Sequence, residues 1–147
     1  MSNVISGLMK ASDIMTVGAA TVRESDTLLR AVELFTDHRI SALPVLDDEG
    51  KLTGILTEGD FLRLSGFHLA TVLGKPLEAR RRELEGSLVR EVMTHDCVTT
   101  EPDASLYDVV ELMDQRELKR LPVVADGKVI GLLSRSDLLR ALIEYKH

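Results

Sequence analysis

The chain has 147 residues, 44% hydrophobic and 29% charged, which is material for one compact domain or two small interdependent ones. Eighteen Lys and Arg against 24 Asp and Glu give a formal net charge of -6, and aromatics reach only 3% with no Trp, so a nucleic-acid backbone finds neither a basic field nor stacking platforms. No apolar run approaches the ~20 residues of a membrane span, the opening MSNVISGLMK lacks the apolar core of a secretory signal, and the single Cys97 cannot close an internal disulfide; the expectation is a cytoplasmic globular protein with an aliphatic core and no structural metal framework.

The dominant feature is an internal repeat. Asp13 to Leu62 aligns with Glu91 to Leu139 at an offset of 78 that becomes 77 after a one-residue deletion in a turn, and roughly a third of the aligned positions are identical. In chain order, Leu28, Ala31, Val32 and Phe35 recur at helical spacing and predict an amphipathic helix. A strand over Leu43 to Leu46, a turn at Asp47 to Gly50 and a second strand over Leu52 to Leu56 follow, and a second helix opens at Thr57. The segment from Arg63 to Arg90, broken by Gly66, Gly74-Lys75-Pro76 and Gly86, reads as helical pieces, with Arg80, Arg81 and Arg82 on a solvated face or, as the alternative, in contact with an anionic ligand or a partner protein. The second copy repeats the pattern. Leu106, Val109, Val110 and Met113 predict the helix, Leu121 to Ala125 and Val129 to Leu133 the strands, Asp126-Gly127 a tight hairpin turn, and Ser134 the start of the last helix. Pro44 and Pro122 lack an N–H and belong at a strand start or edge. The organisation expected is a repeat over 1–64, a helical linker over 65–87 and a repeat over 88–147, in an α+β fold. A unit of about fifty residues buries too little surface to stand alone, so the copies should pack with approximate twofold symmetry and leave two equivalent clefts.

Two chemistries fit the pairs Thr57 with Asp60 and Ser134 with Asp137. A hydroxyl followed three residues later by a carboxylate is a capping box, which satisfies the orphan donors of a helix start. The same groups can bind a ligand, because a carboxylate accepts from vicinal hydroxyls while the helix N-terminus favours phosphate. His38-Arg39 is assigned to a helix end, and His95-Asp96-Cys97 to a loop entering a strand rather than to a metal or nucleophile site.

The runs Asp13-Ile14-Met15-Thr16, Ile40-Ser41-Ala42-Leu43-Pro44-Val45 and Gly54-Ile55-Leu56-Thr57-Glu58-Gly59-Asp60 resemble a CBS domain, the family named for cystathionine beta-synthase. Glu91-Val92-Met93-Thr94, Lys119-Arg120-Leu121-Pro122-Val123 and Gly131-Leu132-Leu133-Ser134-Arg135-Ser136-Asp137 repeat it, and the two copies cover about two thirds of the chain. The resemblance implies a stand-alone tandem pair, or Bateman module, with a β-α-β-β-α core per repeat. Such a module regulates rather than catalyses, binding AMP, ADP, ATP or S-adenosylmethionine, with magnesium a compatible companion of the phosphates, and it commonly pairs as a homodimer that signals to a partner protein. Carried onto this sequence, Asp60 and Asp137 would hold ribose hydroxyls, Thr57 and Ser134 would lie near phosphate, and Ile55 and Leu132 would line the base pockets. The family's clefts are shared between repeats. Asp60 would then receive Lys119 and Arg120 and prefer the more phosphorylated ligand, although Glu58 opposes this; Asp137 would receive Ile40, Ser41 and Ala42, with Arg135 as its nearest cation. The competing readings are a scaffold with vacant clefts and an enzyme, the latter opposed because no nucleophile, base and oxyanion-donor set is visible. Arg23-Glu24-Ser25 stands where the second copy has the family's usual Pro102-Asp103, so the leading strand of the first copy is expected to be the irregular one.

Overall fold

A computed structural model describes residues 9–62 and 69–144. In chain order it contains α1 (Ala11–Ile14), β1 (Val22–Arg23), α2 (Leu28–His38), β2 (Ala42–Leu46), β3 (Leu52–Thr57), α3 (Glu58–Leu62), α4 (Leu69–Leu73), α5 (Leu77–Glu85), a 3-10 turn (Val89–Glu91), β4 (Thr94–His95), α6 (Leu106–Gln115), β5 (Arg120–Ala125), β6 (Lys128–Ser134) and α7 (Arg135–Glu144). Two compact units result, one spanning Ala20–Cys97 and the other joining the segment up to Ala19 with Val98 onward. The units therefore cut across the sequence repeats: the segment that opens each repeat is built into the unit of the other.

In the 20–97 unit, Thr27 caps α2 by accepting from the Arg30 N–H at 3.2 Å, and Arg39 ends it in the left-handed region at φ 53°. The buried face of α2, Leu28, Ala31 and Leu34, meets Leu43 and Val45 of β2 and Leu56 of β3, as the helical and alternating periods require. The sheet runs β1-β2-β3-β4, and Phe35 meets Phe61 edge to face with ring centroids 5.8 Å apart. Between the repeats, α4 and α5 are helical, with Leu69, Val72 and Leu84 packed on this core. Arg81 and Arg82 are exposed, whereas Arg80 turns back to donate from Nε to the Lys75 carbonyl at 2.7 Å. The expected breaker Gly66 lies outside the described residues, as do the first eight residues.

The other unit is built on the same bonds. Ser105 caps α6, its Oγ accepting from the Asp108 N–H at 3.1 Å, and the β5–β6 hairpin turns at Asp126 and Gly127, whose φ of 53° and 79° are those of a type I′ turn. Its register shifts between Val123 and Val124, matching the shift between Val45 and Leu46 in the first hairpin. Val109 and Met113 are buried as expected, but Val110 is 47% exposed and does not belong to the core; Leu112, one helical step from the expected stripe, packs there instead.

The leading strands correct one expectation. The first copy, with Arg23-Glu24-Ser25, forms the regular two-residue parallel pairing of β1 on β2, while the second keeps only an isolated bridge from Thr100 to Val123. The Glu24 N–H donates to the Leu46 carbonyl at 2.9 Å. Pro102 holds the equivalent position and has no N–H to give, so the ladder stops there. Pro44 and Pro122 each lie inside a strand rather than at its start. Thr100 donates to the Pro122 carbonyl at 3.0 Å, which places the donorless nitrogen on the side away from β6, while β1 reaches only Val45 and Leu46 and leaves the strand a local edge at Pro44.

Candidate functional site

Among the described residues, each unit carries one buried carboxylate at the junction of a hairpin strand and the following helix. Asp60 is 6% exposed and Asp137 5%. Burial of an ionised group is tolerated only with strong partners, and the local sequence supplies them. Asp60 Oδ2 accepts from the Thr57 N–H at 2.8 Å while Thr57 Oγ1 accepts from the Asp60 N–H at 3.3 Å. Asp137 Oδ2 accepts from the Ser134 N–H at 2.8 Å and the Ser134 hydroxyl at 3.1 Å, and Ser134 Oγ accepts from the Asp137 N–H at 3.2 Å. Both helix starts are therefore capping boxes.

The second oxygen of each carboxylate meets a hydroxyl that sequence reasoning did not assign to the site. Thr94 Oγ1 donates to Asp60 Oδ1 at 3.1 Å, and Thr16 Oγ1 donates to Asp137 Oδ1 at 3.3 Å. The recurring Met-Thr pair was the signal, but only the exchange of opening segments brings it to the carboxylates. Thr94 arrives through the β3–β4 pairing, and Thr16 by exchanging backbone hydrogen bonds of 2.9 and 3.0 Å with Leu132. Gly54 and Gly131 permit the approach: a Cβ at Gly54 would overlap the Thr94 carbonyl, and one at Gly131 the Met15 side chain. Arg140 is the other addition, its Nη2 and Nη1 lying 2.8 and 3.3 Å from Asp137 Oδ1 with its side chain 46% exposed.

The remaining expected site residues fall as follows. Ile55 is 8% exposed beside Thr94, and Leu132 is half-buried against Thr16. Ile40 packs on the core of its unit and Ala42 is 3% exposed. Ser41 lies at the α3 start, where its carbonyl accepts from the Glu58 N–H at 3.1 Å. Lys119 and Arg120 occupy the equivalent place at the α7 start. The Lys119 carbonyl accepts from the Arg135 N–H at 3.4 Å and from Arg120 Nη1 at 3.0 Å, and Arg135 Nε donates to the Leu118 carbonyl at 3.1 Å. A backbone hydrogen bond thus ties each segment before a Leu-Pro-Val strand to the helix start of its own repeat.

His95 Nε2 donates to the Arg90 carbonyl at 3.1 Å, and burial, reinforced by Asp96, pushes the half-buried Cys97 thiol up despite an opposing backbone hydrogen bond. Among the described residues, no group of His, Cys, Asp and Glu could hold a metal ion, and no helix is long and apolar enough to cross a membrane.

A duplicated hairpin and helix start, each with a buried aspartate in a hydroxyl cap, is the framework of a CBS repeat, and the CBS domain family matches residues 11–66 and 89–144. The chain belongs to that family. It is 34% identical to the uncharacterised protein MJ1426 of Methanocaldococcus jannaschii over 96% of this chain and 95% of that one. Among solved structures it is similar to the CBS domain of a CBS domain-containing membrane protein from Sphaerobacter thermophilus, at 31% identity and TM-score 0.79 over 98% of this chain and 96% of that one. It is also similar to CBSX2 in complex with AMP, at 29% identity and TM-score 0.72 over 92% of this chain and 96% of that one.

Proposed function

We propose that the chain is a regulatory, non-catalytic module that binds adenosine-containing ligands at the Asp60 and Asp137 helix starts and transmits their occupancy to a partner protein. One observation carries the reading: in both repeats a buried carboxylate keeps one oxygen in the cap and offers the other to a hydroxyl. A ribose hydroxyl has the chemistry that Thr94 and Thr16 already supply there, so the donor set fits a nucleoside. In this reading Thr57 and Ser134 stand near the ligand's phosphate, and Ile55 and Leu132 lie against the base. The AMP complex of the similar CBSX2 supports the ligand class.

The module acts as a homodimer. Leu139, Leu142 and Ile143 on α7 are 65%, 79% and 84% exposed, and Tyr107 and Val110 on α6 are 72% and 47% exposed. In the other unit, Leu69, Val72 and Leu84 pack on the core that α2 helps to build, although Leu73 and Leu77 are exposed; a second copy of the chain would cover the exposed apolar side chains of α6 and α7. Leu142→Glu should convert dimer to monomer in light scattering, and an unchanged mass would remove this face from the account.

Calorimetric titration with AMP, ADP, ATP, NAD and S-adenosylmethionine tests the ligand proposal. Binding of at least one is expected. Silence from all five would favour the scaffold reading, in which the fully hydrogen-bonded aspartates serve only as caps.

A further inference from the structure

The two helix starts share their hydrogen bonds but not their charge. Three positions can be equated by bonding rather than by alignment alone. The Glu58 N–H donates to the Ser41 carbonyl as the Arg135 N–H donates to that of Lys119, and Ala42 pairs with Thr57 as Arg120 pairs with Ser134. Ser41, Ala42 and Glu58 carry a summed charge of -1, whereas Lys119, Arg120 and Arg135 carry +3. The guanidinium groups of Arg120 and Arg135 rest on the adjacent Lys119 and Leu118 carbonyls, so both are held beside the α7 start. Arg39 and Glu117, at the left-handed ends of α2 and α6, carry the reverse charges; counting them narrows the difference from four units to two and leaves its sign. Asp137 itself has Arg140 on its Oδ1.

We infer that the two sites divide adenosyl ligands by charge: the Asp137 site takes a nucleoside di- or triphosphate, and the Asp60 site takes an uncharged or cationic adenosyl compound such as a nucleoside, thioether or sulfonium. The inference rests on the proposed adenosyl-binding function and assigns its ligand classes. Guanidinium and ammonium groups bind phosphate oxygens through charge-assisted, partly bidentate hydrogen bonds. A carboxylate at the position of Arg135, as Glu58 is, repels a phosphate chain and attracts a sulfonium. Lys119 and Arg120 thereby serve the aspartate of their own repeat, the reverse of the pairing expected from the resemblance.

The test uses the full chain with one site disabled at a time. Asp60→Asn leaves the Asp137 site and Asp137→Asn leaves the Asp60 site; each is titrated with ATP, adenosine and S-adenosylmethionine at low and high salt. Asp60→Asn should retain ATP binding and Asp137→Asn should lose it. Transplanting the first repeat's residues, Lys119→Ser with Arg135→Glu, should lower the ratio of ATP to adenosine affinity about tenfold or more at low salt, less at high salt as screening predicts. Ser41→Lys with Glu58→Arg should raise that ratio at the Asp60 site, and this second pair keeps the test valid if the first fails to fold. An ATP to adenosine ratio unmoved by both transplants, with adenosine still bound, overturns the charge division and leaves the adenosyl-site reading standing. No binding of any of the three to the unaltered chain overturns both.

Discussion

The helix start at Thr57 and the helix start at Ser134 rest on the same five elements: a hydroxyl, two amides, a buried carboxylate and a threonine from the opening segment of the other repeat. They differ beside this network, where the first copy has Ser41, Ala42 and Glu58 and the second has Lys119, Arg120 and Arg135 at the equivalent positions. The comparison separates two demands. Groups that satisfy buried backbone donors are held in both copies, because leaving one unpaired costs about 1–3 kcal/mol. Side chains outside that network, of which Glu58, Lys119 and Arg135 are exposed, cost little to change, and the copies have diverged there in charge.

The same comparison can be sharpened by substitutions placed in equivalent positions. The largest expected difference is between Gly54→Ala and Gly131→Ala. The new methyl group at Gly54 meets the Thr94 backbone carbonyl, which is fixed in the β3–β4 ladder, whereas the one at Gly131 meets the flexible Met15 side chain. Denaturant unfolding should show a loss of about 1–3 kcal/mol for Gly54→Ala and a smaller loss for Gly131→Ala, since Sδ of Met15 can swing aside although its Cγ and Cβ also lie within contact. Equal losses would mean that the opening segments are held with equal rigidity.

Next come the threonines. Thr94→Val and Thr16→Val keep the shape of the side chain and remove the donor to Asp60 and Asp137, which should cost about 0.5–1.5 kcal/mol each. Arg140 still supports the same Asp137 oxygen, so Thr16→Val combined with Arg140→Ala should cost more in chemical denaturation than Thr16→Val alone, and equal losses would place the main support of Asp137 elsewhere. The smallest effect concerns Cys97. Its thiol pKa is raised in the folded chain, so the folded state holds the proton more firmly. The stability this gives is complete below the ordinary thiol range and is lost as pH climbs through the raised value. Thermal unfolding should be indifferent to Cys97→Ser at neutral pH, and the substitution should flatten the decline on the alkaline side.

Much of this was readable in the repeat. An offset of 78 residues equates Lys10 with Leu88, Thr27 with Ser105 and Val45 with Val123, and the structure uses each pair alike, in the bridges from Lys10 to Ser105 and from Thr27 to Leu88 and in the two register shifts. The capping boxes followed from hydroxyl and carboxylate spacing alone. The exchange of opening segments did not, because the return of Met15-Thr16 as Met93-Thr94 shows that the pair is repeated without showing which hairpin receives it. Thr16 and Thr94 were invisible as site residues for that reason. The regularity of the first leading strand was misjudged because Pro102 was weighed as a family feature rather than as a missing donor opposite Val124.

The central claim, that Asp60 and Asp137 are two independent adenosyl-ligand sites, is tested most directly by the stoichiometry of adenosine binding in calorimetry. With adenosine in excess and no competing nucleotide, so that the charge preference ranks ligands at each site without closing either to adenosine, two equivalents per chain are predicted for the unaltered protein, one for Asp60→Asn or Asp137→Asn, and none for the double variant with its circular dichroism preserved. Two equivalents retained by the folded double variant would contradict the account.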